Sequence, residues 1–314
     1  MKLSTKQLKR LAHGFLELRQ VDRYLSFQRF SKEQVQSLDF SADFRRISQY
    51  TAGISMRFKT NACKVSFGYK RVVGTLKDSV DVYVNGRFIQ AFLMEDLPLE
   101  GTLSISLPTG EKEVVIYLPT DVEMHIKDVR IDGKWRSIKP KKRKMLWIGD
   151  SITQGVGSFL GSQTFVNIVS RKINCESLNQ GIGGYGYMEN ALQDLPNFKP
   201  DKIVVALGTN DGLDGLYERI ETFYERLHNV YRGLPILVIT PIWRGDDTEK
   251  CRGLGTIQKW IKDVCRRYEN IQVIDGFDLV PPVSYCFYDN LHPNAWGMQQ
   301  YADHLLEEMR RLCF

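Results

Sequence analysis

The sequence contains no long apolar run and no cysteine pattern, and both absences narrow what the protein can be. Its six cysteines are scattered, without a CxxC pair or a Cys and His cluster at zinc-ligand spacing. We therefore expect reduced, mostly buried thiols, and neither a metal site nor a cofactor. No segment approaches the roughly 18 consecutive apolar residues of a membrane helix, and the charged N-terminal segment lacks the apolar stretch of a signal peptide. The sequence thus predicts a soluble, cytoplasmic protein without a membrane partner.

Positive charge is modest and partly concentrated in one short run. The net charge is +6 over 314 residues, and residues 139–144 read KPKKRK. No aromatic residues interleave with these charges, as binding of single-stranded nucleic acid would require. We interpret the run as a solvated linker and expect no nucleic-acid partner. The sequence gives no indication of the oligomeric state.

The length of the chain predicts two domains, and we place them at residues 1–138 and 139–314. Between about residue 50 and residue 137, apolar and polar residues alternate in short runs such as Val65, Phe67 and Tyr69. A period of two indicates strands with one buried face. The first domain is therefore predicted to be an antiparallel β-sandwich of the jelly-roll type.

Two dipeptides in this region indicate tight turns. Asn85-Gly86 separates two apolar runs, and its tolerance of positive φ suits a type I′ hairpin. Asp132-Gly133 repeats the signal, so we expect a second hairpin there.

After the basic run the pattern changes to short, nearly continuous apolar segments at residues 145–148, 202–207, 235–239 and 271–274. Strands buried on both faces have this composition. The segments between them are long enough for crossover helices, and the C-terminal segment has apolar residues at helical spacing. The second domain is therefore predicted to be α/β, with a parallel sheet between helices and a ligand site beyond the carboxyl ends of its strands.

A further strand is predicted around residues 175–178. Polar or glycine-rich loops follow this strand and those at 145–148 and 202–207, and a fourth loop precedes the last helix. They are Gly149 to Gly155, Asn179 to Gly184, Gly208 to Asp211 and Asp289 to Pro293. Each is an ordinary turn when taken alone. Together, at one edge of a sheet, they supply the parts of an acyl-transfer site.

Ser151 is the candidate nucleophile of this site. A serine hydroxyl requires a base to take its proton and a carboxylate to orient that base. His292 and Asp289 have the required spacing within one loop, so we assign them as base and orienting acid. Asp289→Asn should be milder than His292→Ala if a backbone carbonyl can also hold the imidazole. The other histidines lack an acid three positions earlier or lie in a charged helical pattern: His13, His125, His304 and His228.

Three N–H donors are predicted to form an oxyanion hole: the backbone of Ser151, the backbone of Gly184 and the side-chain amide of Asn210. The residues expected to contact the substrate are Asp150, Tyr185 and Trp243. For Trp296, at the start of the last helix, we favour packing in the core.

The four loops read GDSITQG, NQGIGG, GTND and DNLHP, and their order resembles the block signatures of the SGNH hydrolase superfamily. The resemblance covers roughly residues 144–314. It implies a flavodoxin-like three-layer α/β/α fold and hydrolysis of esters or thioesters without a metal, with functional Ser, Gly, Asn and His residues at the positions assigned above. No GxSxG motif is present, which argues against the α/β-hydrolase alternative.

A β-sandwich ahead of such a domain resembles the arrangement of family two carbohydrate acetylesterases. The leading hypothesis is therefore a serine esterase that removes O-acetyl groups from a carbohydrate, with a small-molecule or oligosaccharide ester as its partner. A lysophospholipase or thioesterase acting on longer acyl chains remains an alternative. So does a carbohydrate-binding protein without catalytic activity, although Ser151, Asp289 and His292 are intact.

Overall fold

A computed structural model describes residues 2–195 and 197–314, whose strands form three sheets. The first part of the chain contains β1 (Ala12–His13), β2 (Glu17–Val21), β3 (Tyr24–Gln28), β4 (Ser55–Thr60), β5 (Lys64–Gly74), β6 (Ser79–Val84), β7 (Arg87–Leu93), β8 (Glu100–Ser106), β9 (Lys112–Tyr117), β10 (Val122–Ile131) and β11 (Trp135–Ser137). The second part contains β12 (Lys144–Gly149), β13 (Glu176–Gly181), β14 (Lys202–Ala206), β15 (Ile236–Ile239) and β16 (Ile271–Ile274).

The helices lie before and between the early strands of the sandwich sequence, and between and after the strands of the second part. They are α1 (Thr5–Leu11), α2 (Lys32–Ser37), α3 (Ala42–Ile47), α4 (Ser151–Gln154), α5 (Phe165–Lys172), α6 (Leu216–Val230), α7 (Thr248–Cys265) and α8 (Ala295–Arg311). Short 3₁₀ turns occur at Met94–Asp96, Gly276–Asp278 and Ser284–Cys286. Within residues 2–195 and 197–314, none of the helices is long and apolar enough to cross a membrane.

Two antiparallel sheets pack face to face in the first part of the chain. One has the order β1-β4-β9-β6-β7, with β11 paired to β4, and the other has the order β2-β3-β10-β5-β8. The alternating residues Val65, Phe67 and Tyr69 are buried, and they share one core with Phe58 and Val82 of the opposite sheet. The predicted antiparallel β-sandwich is therefore confirmed.

One of the two predicted hairpins is present and the other is absent. Asn85 and Gly86 connect β6 to its neighbour β7 with φ angles of 49° and 76°, as a type I′ turn requires. After Gly133, however, β11 pairs with β4 and not with the preceding strand β10. A Cβ on Gly133 would lie 2.9 Å from the Cα of Ala62. Glycine is therefore needed because the chain passes close to Ala62 as it moves from one sheet to the other.

The second part of the chain is a five-stranded parallel sheet with the order β13-β12-β14-β15-β16. Successive side chains of its central strands enter two different cores. Leu146 and Ile148 pack on the side of α6 and α7, whereas Met145 and Trp147 pack on the side of α5 and α8. These layers confirm the flavodoxin-like α/β/α fold. Strand order reverses between β12 and β14, which is where such sheets bind ligands.

A buried arginine joins the two parts of the chain beside that edge. Arg29 donates hydrogen bonds to the carbonyls of Tyr50 and Ile47, at 2.7 Å and 3.1 Å, and to those of Asn179 and Gly181 on β13, at 2.7 Å and 3.0 Å. Burial lowers the pKa of this guanidinium to about 9. The turn after α3 is thereby fixed to the strand that leads into the loop Asn179 to Gly184, called the oxyanion loop below because it carries the predicted donor Gly184. The domain division at residue 138 stays a prediction.

The cysteines are all free thiols, as predicted. Three are buried and three are not, so the expectation that most would be buried is only half met. The buried ones are Cys175, Cys265 and Cys286.

Candidate active site

Ser151 is placed at the reversal point of the sheet by a tight turn after β12. It is the first residue of α4, which Gly155 ends in the left-handed conformation. A Cβ on Gly149 would lie 2.1 Å from the Thr153 hydroxyl oxygen, so only glycine fits where the strand turns into the helix. As the first residue of α4, Ser151 has an N–H without an intrahelical acceptor.

His292 lies between Ser151 and Asp289. Its Nε2 is 2.8 Å from the Ser151 hydroxyl oxygen, and its Nδ1 is 2.8 Å from Asp289 Oδ2. With the proton on Nδ1, the ring donates to Asp289 and its Nε2 accepts from the serine hydroxyl. The structure therefore brings the three residues predicted as nucleophile, base and orienting acid into hydrogen-bonding contact.

The loop that carries His292 is held by hydrogen bonds of its own. Asp289 Oδ1 accepts from the backbone N–H groups of Leu291 and His292, at 3.0 Å and 2.7 Å. Partial burial pushes the pKa of Asp289 upward, but the hydrogen bonds from His292 outweigh it and the net shift is downward. The carboxylate is thus kept ionised beside the imidazole. Gly157 backs this loop closely, since a Cβ there would lie 2.8 Å from the Cβ of His292.

The assignment of Ser151, Gly184 and Asn210 as oxyanion donors stays a prediction, and the hydrogen bonds around the last two are compatible with it. Gly184 has a φ of +78°, and its N–H donates to no group among residues 2–195 and 197–314. Asn210 donates one amide hydrogen to the Tyr185 carbonyl at 3.0 Å, which leaves the second hydrogen for a ligand. Arg244 donates to the carbonyl of Thr209 at 2.5 Å and so fixes the residue before Asn210.

We expect Asn210→Ala to lower kcat by about 10²-fold to 10³-fold, because its amide should act mainly on the charged transition state. KM should change little. Steady-state kinetics on an activated ester would measure both, with the exposed Asn197→Ala as the control variant. Weaker substrate binding with unchanged turnover would contradict this assignment.

Two residues predicted to contact the substrate are directed elsewhere. The Asp150 carboxylate caps α4 by accepting from the N–H of Ile152 at 2.9 Å, and burial raises its pKa to about 7. Tyr185 lies in the core with its hydroxyl donating to the Met188 carbonyl at 2.9 Å. A polar residue in a strand-end loop can cap a helix or pack inward, as these two do, so their contact with substrate has no support from the structure and stays a prediction. Tyr185 acts instead through its carbonyl, which holds Asn210.

The two tryptophans differ from each other. Trp243 is half-buried against the ring of Phe287 in the His292 loop, with centroids 5.1 Å apart, so its contact with substrate stays a prediction. Trp296 is 55% exposed at the second position of α8, and the expectation that it packs in the core was wrong.

Several residues of the sandwich part reach the site, and the sequence analysis named none of them. A Cβ on Gly183 would lie 3.6 Å from Ile47 Cδ1 and 3.9 Å from Ser151 Cβ, and a Cβ on Gly184 would lie 3.6 Å from Phe44 Cε1. Helix α3 therefore forms an apolar wall beside the oxyanion loop. No local pattern marks α3 as part of a site, because only the packing of the two parts of the chain brings it there.

The described residues contain no group of three or more His, Cys, Asp or Glu side chains that could hold a metal ion.

A serine at the reversal point of an α/β/α sheet, with an imidazole and a carboxylate behind it, is the arrangement of a carboxylic ester hydrolase. Residues 147–300 match the model of the GDSL-like Lipase/Acylhydrolase family. No curated protein matches the sequence.

Solved structures extend the similarity to the sandwich. A protein from Bacteroides ovatus described as a GDSL-like lipase is 18% identical, with a TM-score of 0.81 over 100% of this chain and 98% of that chain. A salicylyl-acyltransferase from a tetracycline biosynthetic pathway is 19% identical, with a TM-score of 0.79 over 96% of this chain and 94% of that chain. A family two carbohydrate esterase from Clostridium thermocellum, solved with cellohexaose, is 18% identical, with a TM-score of 0.66 over 84% and 94% of the two chains. At these identities the similarity shows a shared fold.

Proposed function

We propose that the protein is a serine esterase that works through an acyl-enzyme intermediate. The observation that carries this proposal is the position of His292, which is 2.8 Å from both the Ser151 hydroxyl oxygen and an Asp289 oxygen. This geometry lets the imidazole take a proton from serine while the carboxylate stabilises the resulting imidazolium.

The reaction follows from these positions. As the Ser151 oxygen attacks the ester carbonyl carbon, its proton passes to His292 Nε2, and the carbonyl electrons move onto oxygen. The N–H groups of Ser151, Gly184 and Asn210 stabilise that oxyanion. The bond to the alcohol then breaks and the alcohol leaves with the proton from His292. Water repeats the sequence on the acyl-enzyme, which releases the carboxylic acid and restores the serine.

The acyl group of the substrate is proposed to be short. Phe44 and Ile47 stand against the oxyanion glycines, so they limit the space available beyond the reacting carbonyl. Removal of an acetyl group from a carbohydrate fits this wall, and the fold is shared with a family two carbohydrate esterase. A lysophospholipase or thioesterase would need an open apolar groove at the same place.

Activity on nitrophenyl esters of increasing chain length tests this proposal. We expect kcat/KM to fall by at least about 10-fold from acetate to octanoate, because a longer chain would clash with the wall. Ile47→Ala should reduce that difference, whereas Ile89→Ala, an exposed residue of β7, should leave it unchanged. Activity that rises toward octanoate in the wild type would favour the longer-chain alternative. If wild type and Ser151→Ala showed equal turnover of every ester, the non-catalytic reading would be correct.

A further inference from the structure

The turn between β9 and β10 of the sandwich is held rigidly at the edge of the active site. The buried Asp78 carboxylate accepts from the N–H groups of Thr120 and Asp121, both at 2.7 Å, and from the Thr120 hydroxyl at 3.1 Å. It also accepts from the N–H of Ser79 at 2.7 Å. With four donors on one buried carboxylate, the backbone position of Asp121 is fixed.

The side chain of Gln154 links Asp121 to the oxyanion loop by hydrogen bonds. Its Oδ1 accepts from Gln154 Nε2 at 2.8 Å, and Gln154 Oε1 accepts from the N–H of Gly183 at 2.8 Å. Because Gln154 is on α4, three residues after Ser151, this chain of hydrogen bonds borders the nucleophile directly. The second oxygen of Asp121, Oδ2, accepts no hydrogen bond from any residue that the structure describes.

The surroundings of Asp121 act on its pKa in opposite directions, and the net shift is upward. Burial raises its pKa, and the hydrogen bond from Gln154 and the attraction of His292 oppose that rise. Arg46 also attracts it, but that guanidinium is hydrogen-bonded to Asp43 at 2.9 Å. Geometry places the turn between β9 and β10 beside the His292 loop: a Cβ on Gly155 would lie 3.3 Å from Thr120 Cγ2, and a Cβ on Gly157, two residues later, would lie 2.8 Å from the Cβ of His292. Asp121 is thus a partly buried side chain with one oxygen that no described residue contacts, in a turn that packs next to the support of the base.

The side of the site that Asp121 occupies follows from the mechanism. In acyl transfer the imidazole hands its proton to the leaving alcohol, so groups beside His292 border the alcohol half of the ester. A second sandwich residue contacts the segment that carries the base, since Lys77 Nζ donates to the hydroxyl of Tyr288 at 2.6 Å, and the N–H of Tyr288 donates to the His292 carbonyl at 2.8 Å. Phe44 and Ile47 of α3 face the oxyanion loop.

We propose that Asp121 is a specificity-determining residue whose free oxygen accepts a hydrogen bond from a hydroxyl of the leaving alcohol. This assignment rests on the proposed esterase function and deepens it, because a carboxylate acceptor at that place selects alcohols that carry further hydroxyl groups. Polyhydroxylated alcohols, such as saccharides, are the substrate class that it implies. The sandwich is then a structural part of the substrate site.

Two substrates with the same acyl group separate this role from simple support of the loop. Monoacetylated glucose has free hydroxyls on its alcohol half, and p-nitrophenyl acetate has none. For Asp121→Ala we expect the ratio of kcat/KM for acetylglucose to kcat/KM for p-nitrophenyl acetate to fall by about 10-fold or more, chiefly through KM. Asp121→Asn, which retains one acceptor oxygen, should lower the ratio less and serves as the readout if the alanine variant does not fold. Glu123→Gln is the control, since Glu123 lies on β10 and its carboxylate contacts the His125 ring at 2.8 Å.

The outcomes distinguish this assignment from the function on which it rests. If the wild type deacetylates glucose but both Asp121 variants keep the wild-type ratio, or lose both activities in parallel, Asp121 only supports the loop and the assignment fails alone. If the wild type hydrolyses p-nitrophenyl acetate and no acetylated sugar, the proposed deacetylase function fails, and the assignment fails with it.

Discussion

Replacing Ser151 by alanine is expected to reduce ester hydrolysis by about 10⁴-fold to 10⁶-fold. The serine oxygen is the only atom within 2.8 Å of His292 Nε2 that can attack a carbonyl and pass its proton to the ring, among the residues that the structure describes. The oxyanion donors remain in the variant, so a small residual rate above that of water should persist. Release of nitrophenol from the acetate ester measures the loss.

Ser104→Ala is the matched control for this experiment. Ser104 is exposed on β8, so the Ser104→Ala variant should show wild-type kinetics. Thermal unfolding of the Ser151 variant should resemble that of the wild type, which separates lost chemistry from lost fold. Retention of more than a small fraction of wild-type turnover by Ser151→Ala would mean that another group attacks the ester.

Replacing Asp289 by asparagine is expected to lower kcat by about 10²-fold to 10⁴-fold, because an amide favours the wrong imidazole tautomer. The sequence left open whether a backbone carbonyl also holds His292. In the described part of the chain, Nδ1 contacts Asp289 and no carbonyl. The Asp289 side chain is 41% exposed, however, so water can partly replace it as the partner of Nδ1. This would bring the loss in kcat toward the 10²-fold end of the range.

Comparison with His292→Ala decides how strictly the three residues act as a unit. Equal losses in the two variants would indicate a strict triad, and a clearly milder loss for Asp289→Asn would indicate that water or the loop backbone can orient the ring. Asp303→Asn, on the exposed side of α8, is the control. Wild-type kinetics for Asp289→Asn would remove this residue from the mechanism.

Much of the fold follows from local sequence patterns. Continuous apolar runs identify strands that are covered on both faces, and β12 and β14 occur where such runs predict them. The residues after those strands must meet at one edge, so Ser151 and Asn210 could be placed together without coordinates. His292 could be added because it combines a loop position with an acid three residues earlier.

Other features depend on packing between distant segments and leave no local signal. Asp121 reaches Gln154 of α4 because Asp78 fixes its turn and Arg29 joins the sandwich side to β13. Asp150 and Tyr185 are the opposite case, in which the sequence gives a signal but the side chain makes other contacts. Their positions in strand-end loops suggested substrate contact, but one caps a helix and the other fills the core. Residue type and position do not specify in which direction a side chain points.

The same limit applies to the glycine turns. Asn85-Gly86 gives a hairpin because the strands on both sides pair with each other in one sheet. The glycine of Asp132-Gly133 meets a different requirement, the close approach of Ala62, and the following strand joins the opposite sheet. A turn dipeptide therefore predicts a change of direction, but not the strand that the chain pairs with next.

The central claim is that Ser151 is a nucleophile activated by His292, and covalent labelling tests it most directly. The protein would be treated with a fluorophosphonate, analysed by intact mass spectrometry, and digested to locate the adduct. We predict a single adduct on the peptide that contains Ser151, absent in Ser151→Ala and formed far more slowly in His292→Ala. An adduct on another residue, or no adduct in a preparation that hydrolyses esters, would contradict the account.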